Sequence, residues 1–311
     1  MVLGGCATGP ELQALREAGS AVELTEVPFF AQDEYQCGPA ALATVLVSGG
    51  VEVTPQQLVP MVYVPDRRGS LQAELLAATR SHGRVPYVLG KTLVPILEEL
   101  RSGQPVLVLQ NLGLDRWPVW HYAVLIGFDP DKQQFLLRSG KTRRQQSHAR
   151  SFLASWDRAG RWSMVTVPAN DPPASADVLG WLQAVAPFES TGDLESAVEG
   201  YEAAVARWPE AAMAWTALGN ARYLQQQFAM ASAAYKHALN LSPELWTARN
   251  NLVQTMIAQG CPKPAQPWIS GVGVPPPEIE STWNRTLQEL AAIGNGSCSS
   301  RQQVRNQLGK E

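Results

Sequence analysis

The sequence has little net charge, few cysteines and no long apolar run. Its 311 residues carry a formal charge of −3, and without a basic cluster nucleic acid is not a favoured partner. No stretch approaches the roughly 20 apolar residues of a membrane-spanning helix. Neither a cluster of metal-ligating residues nor a glycine-rich phosphate loop is present. The sequence therefore predicts neither a metal nor another cofactor.

The most informative stretch is polar and lies just before an apolar, helix-like run. Cys37, Gly38 and Pro39 precede the run from Ala40 to Val47. A thiol at a helix start lies near unpaired backbone N–H groups, which favour the thiolate and predict a lowered pKa. Gly38 leaves room for close approach to the sulfur. Gln32 could direct its amide N–H at a developing oxyanion.

This arrangement resembles the papain-like cysteine peptidases, and most closely the bacteriocin-processing family that removes double-glycine leaders. The resemblance covers residues 22–168 and implies that Cys37 is the nucleophile and Gln32 the oxyanion-hole residue. A cysteine at a helix start can also be a buried structural residue, and that alternative stays open.

A cysteine peptidase also needs a base and a group that orients it. His121, in the sequence His-Tyr-Ala-Val at the start of a predicted strand, resembles the second family motif. The family's orienting Asp has no equivalent. Asp129 lies eight residues further along the same strand, about 25 Å from His121. Pairing across a turn near Pro130 instead places His121 opposite Ser139 or Gly140, so Ser139 is the predicted orienting residue.

The order of predicted elements indicates an α+β papain-like domain, in which a helical lobe precedes an antiparallel sheet. Helices are predicted at the following positions: 10–18, 40–47, from Thr54-Pro55 onward, 69–81 and 93–102. Apolar runs predict strands over the following residues: 104–110, 120–128, 135–139 and 162–167.

A second domain is indicated by a change of period after a linker at 169–177. Trp181, Tyr201 and Pro209 recur 34 residues later as Trp215, Tyr235 and Pro243. This period resembles tetratricopeptide repeats over residues 178–270, which implies an all-α domain that binds a protein or peptide partner. Residues 271–311 are interpreted as a C-terminal cap and tail, with a capping helix from Ile279 to Ile293.

Residues 1–21 are interpreted as a lipoprotein signal remnant and a tether. Leu3-Gly4-Gly5-Cys6 resembles the end of a bacterial lipoprotein signal, although the basic and apolar parts of such a signal are absent from the sequence. Lipidation of Cys6 implies an outer-membrane lipoprotein facing the periplasm. In that oxidising compartment Cys261 and Cys298 could form a disulfide, which leaves Cys37 as the free thiol.

Three functional hypotheses follow. The first is an envelope-anchored cysteine peptidase that cleaves peptide bonds through Cys37 and His121. The second is a catalytically weak or inactive peptidase-like domain that acts as a peptide-binding scaffold, which the missing Asp favours. The third is an amidase or transferase that uses the same Cys-His pair.

Overall fold

The computed structural model describes residues 9–31, 37–67, 69–260, 265–270 and 272–293. It divides into two compact units, Met1–Ala184 and Val185–Glu311. Four residues with predicted roles lie outside the described residues: Cys6, Gln32, Cys261 and Cys298. No helix within the described ranges combines the length and apolar character needed to cross a membrane.

The helices of the first unit surround one antiparallel sheet. They are α1 (Gly9–Arg16), α2 (Cys37–Ser48), α3 (Pro55–Val62), α4 (Gln72–Ser81), α5 (Leu93–Arg101), α6 (Ala149–Asp157) and α7 (Val178–Val185). The last residue of α7 falls in the second unit.

The strands alternate with these helices along the chain. They are β1 (Val22–Glu23), β2 (Tyr63–Val64), β3 (Gly69–Ser70), β4 (Val85–Val88), β5 (Val106–Asn111), β6 (Trp120–Asp129), β7 (Gln134–Ser139), β8 (Thr142–His148) and β9 (Ser163–Val167). The main sheet has the order β4-β9-β5-β6-β7-β8, and β1 also pairs with β6. Strands β2 and β3 form a separate hairpin.

The sheet is buried on both faces at its centre, which explains the unbroken apolar sequence of β5. On one face, Leu42 and Leu46 of α2 share a core with Tyr122 and Val124 of β6. This core fixes the start of α2 against the start of β6. The two predicted catalytic residues lie at those two starts.

Three elements were not predicted from the sequence: β4, β8 and α6. Strand β8 is almost entirely exposed and polar because it forms an edge of the sheet, so it has no apolar alternation. The polar character protects the unpaired edge from other chains but removes the signal for a strand. Helix α4 also begins later than predicted, because Gly69 and Ser70 form β3 and Leu71 is exposed.

The start of α3 is closed by a capping box. The Thr54 side chain accepts a hydrogen bond from the Gln57 backbone, and the Gln57 side chain accepts one from the Thr54 N–H. We expect Thr54→Ala to destabilise the first unit by about 1 kcal/mol, because an N–H group in the first turn of the helix loses its partner. Thr92→Ala is the matched control, since Thr92 caps α5 without a side-chain hydrogen bond. Calorimetric unfolding that shifts equally for both variants would contradict this assignment.

The segment after β9 is held against the rest of the first unit. The Glu99 carboxylate, fully buried in α5, accepts a hydrogen bond from the Ser175 N–H at 2.7 Å. The Asp177 N–H donates to the Tyr87 hydroxyl, and the buried Trp181 ring lies 6.4 Å from the Tyr87 ring. Part of the predicted linker therefore has defined contacts with the first unit.

The second unit is helical throughout its described residues. Its helices are α8 (Pro187–Thr191), α9 (Leu194–Arg207), α10 (Ala212–Leu224), α11 (Phe228–Leu241), α12 (Trp246–Ala258), α13 (Gln266–Ile269) and α14 (Pro277–Ile293). Gly219 lets α10 approach α11, because a Cβ there would meet the Tyr235 ring. Trp283 and Leu290 of α14 are buried in one core with residues of α11 and α12.

Candidate active site

Cys37 is the first residue of α2, so its side chain lies at the N-terminus of that helix. The thiol is partly buried and free. It packs against the core formed by α2 and β6. A nucleophile placed here is held by a helix that cannot shift without disturbing the core.

The sulfur of Cys37 contacts the start of β6. It accepts a hydrogen bond from the backbone N–H of Tyr122, the residue that follows His121. This contact places the thiol beside the backbone of the histidine-bearing strand. The sequence did not indicate this role for Tyr122, because a backbone donor leaves no mark on residue type.

His121 is paired with a hydroxyl. Its Nε2 lies 2.8 Å from Oγ of Ser139, within hydrogen-bond distance. Ser139 itself is buried, so water is largely kept from this contact. Because Nε2 is occupied, Nδ1 is the nitrogen that could exchange a proton with a neighbouring thiol.

The strand register differs slightly from the expected one. Asp129 pairs with Gln134 across the turn, and after a bulge near Leu125 the ladder pairs Val124 with Arg138. Extending that register sets Ala123, rather than His121, opposite Ser139. The contact between His121 and Ser139 is therefore a diagonal one between residues on the same face, which long side chains can span.

Burial opposes charge on both members of the pair. Burial raises the pKa of the Cys37 thiol, although the N–H groups of Tyr122, Gly38 and Cys37 act in the opposite direction. Burial also lowers the pKa of His121. The lowered thiol pKa expected from the helix terminus is therefore wrong, because desolvation outweighs the helix N–H groups. At rest the pair consists of a thiol and a neutral imidazole.

A pH profile of alkylation checks this protonation state. A raised pKa means that the thiolate fraction at pH 7 is below that of an ordinary cysteine, whose pKa is about 8.5. We expect the rate of Cys37 alkylation by iodoacetamide to rise with pH and to reach its midpoint above that value. Glutathione serves as the exposed-thiol reference. A midpoint below about pH 7 would instead show a thiolate–imidazolium pair.

The β2–β3 hairpin forms a wall beside the nucleophile. A Cβ at Gly38 would overlap the Ser70 side chain, so the space at Gly38 admits Ser70 as well as leaving room at the sulfur. The Tyr122 hydroxyl donates to the Ser70 carbonyl at 3.3 Å. Oγ of Ser70 is buried, and no hydrogen-bond partner for it is found among the described residues.

Gln110 lies beside His121 on the neighbouring strand. It is the direct cross-strand partner of His121 on β5. Its side-chain amide donates to Oγ of Ser155 on α6 at 2.6 Å, which ties this end of the sheet to the helix. Gln110 was not singled out from the sequence, and its position at the end of a buried apolar run was the available signal.

The remaining histidines have local structural roles. His82 ends α4 with Nδ1 2.7 Å from the Ala78 carbonyl, and His148 caps α6. The His237 ring lies 4.0 Å from the Trp215 ring in the second unit. Asp129 pairs with Lys132 at the far end of β6. Within the described ranges, no group of three or more metal-ligating side chains is arranged to hold an ion.

The comparison with family models gives one match, over the part of the chain that carries this site. Residues 24–164 match the Peptidase_C39 like family. The match includes Cys37, His121 and Ser139, and it agrees with the predicted α+β papain-like fold of antiparallel sheet and helices. The helical second unit lies outside it. A comparison with curated proteins gave no match.

Solved structures similar to the chain include three of C39 type. A putative C39-like peptidase from Bacillus anthracis is 19% identical over 48% of this chain and 98% of its own, with a TM-score of 0.41. A double glycine motif protease from an AMS/PCAT transporter, in complex with the leader peptide, is 21% identical over 46% and 92%, with a TM-score of 0.35. The peptidase domain of Streptococcus ComA, a bifunctional ABC transporter involved in quorum sensing, is 16% identical over 46% and 99%, with a TM-score of 0.38.

Proposed function

We propose that the C39-like segment is a cysteine peptidase that cleaves peptide bonds through Cys37 and His121. The observation that carries the proposal is the junction of α2 and β6. There the Cys37 sulfur contacts the Tyr122 N–H, and the adjacent His121 is fixed by Ser139. A thiol, an imidazole and an orienting hydroxyl are thus gathered at one point of the fold.

The chemistry follows from these positions. The His121 imidazole accepts the thiol proton as the Cys37 sulfur attacks the carbonyl carbon of the substrate. The N–H groups at the start of α2 and the Gln32 amide would stabilise the oxyanion. The imidazolium then protonates the leaving amine, and water hydrolyses the thioester by the reverse proton transfers. Because the resting pair is neutral, the proton moves only when substrate is bound.

The substrate class proposed is a peptide with a double-glycine cleavage site. Support comes from the C39-like match over residues 24–164 and from the residues around Cys37, which resemble those of double-glycine leader peptidases. One of the similar solved structures is a double glycine motif protease with a bound leader peptide. Small residues at the scissile bond also suit a nucleophile that is partly buried beside Ser70.

Hydrolysis of internally quenched peptides with a central Gly-Gly tests the proposal. Wild-type protein should cleave them, and Cys37→Ala should not. Mass spectrometry of wild type under turnover should also show an acyl adduct on Cys37. Cleavage by Cys37→Ala at the wild-type rate would show that the thiol is not the nucleophile.

A second candidate function is peptide binding without efficient turnover. Ser139 carries no charge to stabilise an imidazolium, and burial already disfavours that cation by lowering the pKa of His121. If this function is correct, the Gly-Gly peptides bind to wild type and to Cys37→Ala with equal affinity, and neither protein cleaves them.

We further propose that the second unit binds a protein or peptide partner through tetratricopeptide-like hairpins. Helices α9 to α12 have similar lengths, and small residues such as Ala197 and Ala231 are fully buried. Stacked hairpins of this kind present a concave surface for partners. Pull-down with residues 185–311 deleted should lose any partner that the full chain retains.

An envelope location is proposed from the sequence around Cys6. Expressed with its full upstream signal, the chain should partition into detergent, and Cys6→Ser should not. The proposed Cys261–Cys298 disulfide should then appear in unreduced peptide maps. Equal partitioning of both forms would remove the anchor.

A further inference from the structure

Five large apolar side chains are exposed in the connection between β5 and β6. They are Leu112, Leu114, Trp117, Val119 and Trp120. Trp117 is 70% exposed and Leu114 is 65% exposed. We call residues 112–119 the apolar arm. Other tryptophans of the first unit, such as Trp156 and Trp181, are fully buried. Exposed apolar side chains gathered in one short segment indicate a contact surface.

The arm is an ordered extension of the hairpin that carries His121. The N–H of Leu112 donates to the Val119 carbonyl at 2.9 Å, and Leu114 and Trp117 exchange two backbone hydrogen bonds. The turn at the tip is therefore Asp115-Arg116. Its two charges are of opposite sign, so the arm does not select a partner by net charge.

Asn111 clamps the foot of the arm. Its buried side-chain oxygen accepts from the N–H groups of Gly113 and Val119, both at 3.0 Å. Its carbonyl accepts from Arg158 at 2.9 Å. Gly113 has no room for a Cβ beside the Trp117 carbonyl. A segment held this firmly loses little conformational entropy when a ligand binds.

The position of the arm specifies its ligand. Val119 and Trp117 lie two and four residues before His121, so they are about 7 and 13 Å from it along an extended strand. A peptide whose scissile bond lies at His121 and Cys37 advances by about 3.3 Å per residue. Its side chains two to four residues from that bond therefore reach the arm.

We propose that the apolar arm is a specificity determinant that binds apolar side chains of the peptide substrate, two to four residues from the scissile bond. This inference rests on the proposed function for the catalytic centre. Trp117 makes the main contact, because a large exposed aromatic ring on a rigid turn is the side-chain type that dominates binding energy. Leu114 completes the surface.

Two quenched peptides test the proposal. Both contain Gly-Gly, with leucine in one and serine in the other at the positions two to four residues from the scissile bond. We expect wild type to favour the leucine peptide by about tenfold in kcat/KM, mainly through KM. In Trp117→Ser this preference should disappear while cleavage of the serine peptide is retained. Leu179→Ser, which removes an exposed leucine from α7, is the control.

Binding to Cys37→Ala separates this inference from the proposed function. If wild type cleaves neither peptide, fluorescence anisotropy should still show that Cys37→Ala binds the leucine peptide and that Cys37→Ala/Trp117→Ser binds it about tenfold more weakly. Equal leucine preference with and without Trp117 would overturn the proposal. So would an unchanged preference together with Trp117-dependent sedimentation on phosphatidylglycerol vesicles, which would make the arm a membrane contact.

Discussion

Replacement of His121 by alanine is expected to lower hydrolysis of Gly-Gly peptides by at least about 10³-fold. The resting thiol is protonated because burial raises its pKa, so attack requires a base that removes the proton. His121, one residue from the Tyr122 N–H that contacts the sulfur, is the base at this position. Initial rates with quenched peptides measure the effect.

The control for this variant is His82→Ala, which removes a histidine that only ends α4. It should retain full activity. Alkylation of Cys37 at high pH should be unaffected in His121→Ala, which shows that the thiol is still in place. Gln32→Ala should lower turnover by about 10²-fold through loss of an oxyanion donor. Retention of wild-type rates without His121 would refute the mechanism.

The sequence predicts those parts of the fold that rest on local chemistry. Helix α2 follows from its apolar run, and the start of α3 follows from Thr54 and Pro55. The buried strands β5 and β6 follow from continuous apolar residues. These signals are local, and the tertiary structure preserves them.

The parts that were not predicted depend on tertiary surroundings. Strand β8 is polar because it is an edge, and its pairing with β7 is not visible in its own residues. The sign of the Cys37 pKa shift depends on how deeply the helix start is buried, which the residues around Cys37 do not reveal. The turn after β6 lies further along the chain than expected and β6 carries a bulge, so the Ser139 contact is diagonal rather than direct.

Replacement of Ser139 by aspartate is expected to raise the rate of Cys37 alkylation at pH 7 by about 10-fold or more. Oγ of Ser139 lies 2.8 Å from Nε2 of His121, so a carboxylate there would face the imidazole. An opposite charge at this distance raises the pKa of a histidine by about 1–3 units. The resulting imidazolium beside Cys37 then favours the thiolate. Peptide hydrolysis should rise in parallel.

Ser139→Asn is the matched control, because asparagine has nearly the same shape as aspartate and accepts a hydrogen bond without charge. It should keep the orientation of His121 and leave the alkylation midpoint near that of wild type, whereas Ser139→Asp moves the midpoint to lower pH. The buried position of Ser139 strengthens this contrast, since the charge pair is shielded from water. Identical pH profiles for the two variants would mean that position 139 controls only the geometry of His121. The low charge of the native site would then not limit its reactivity.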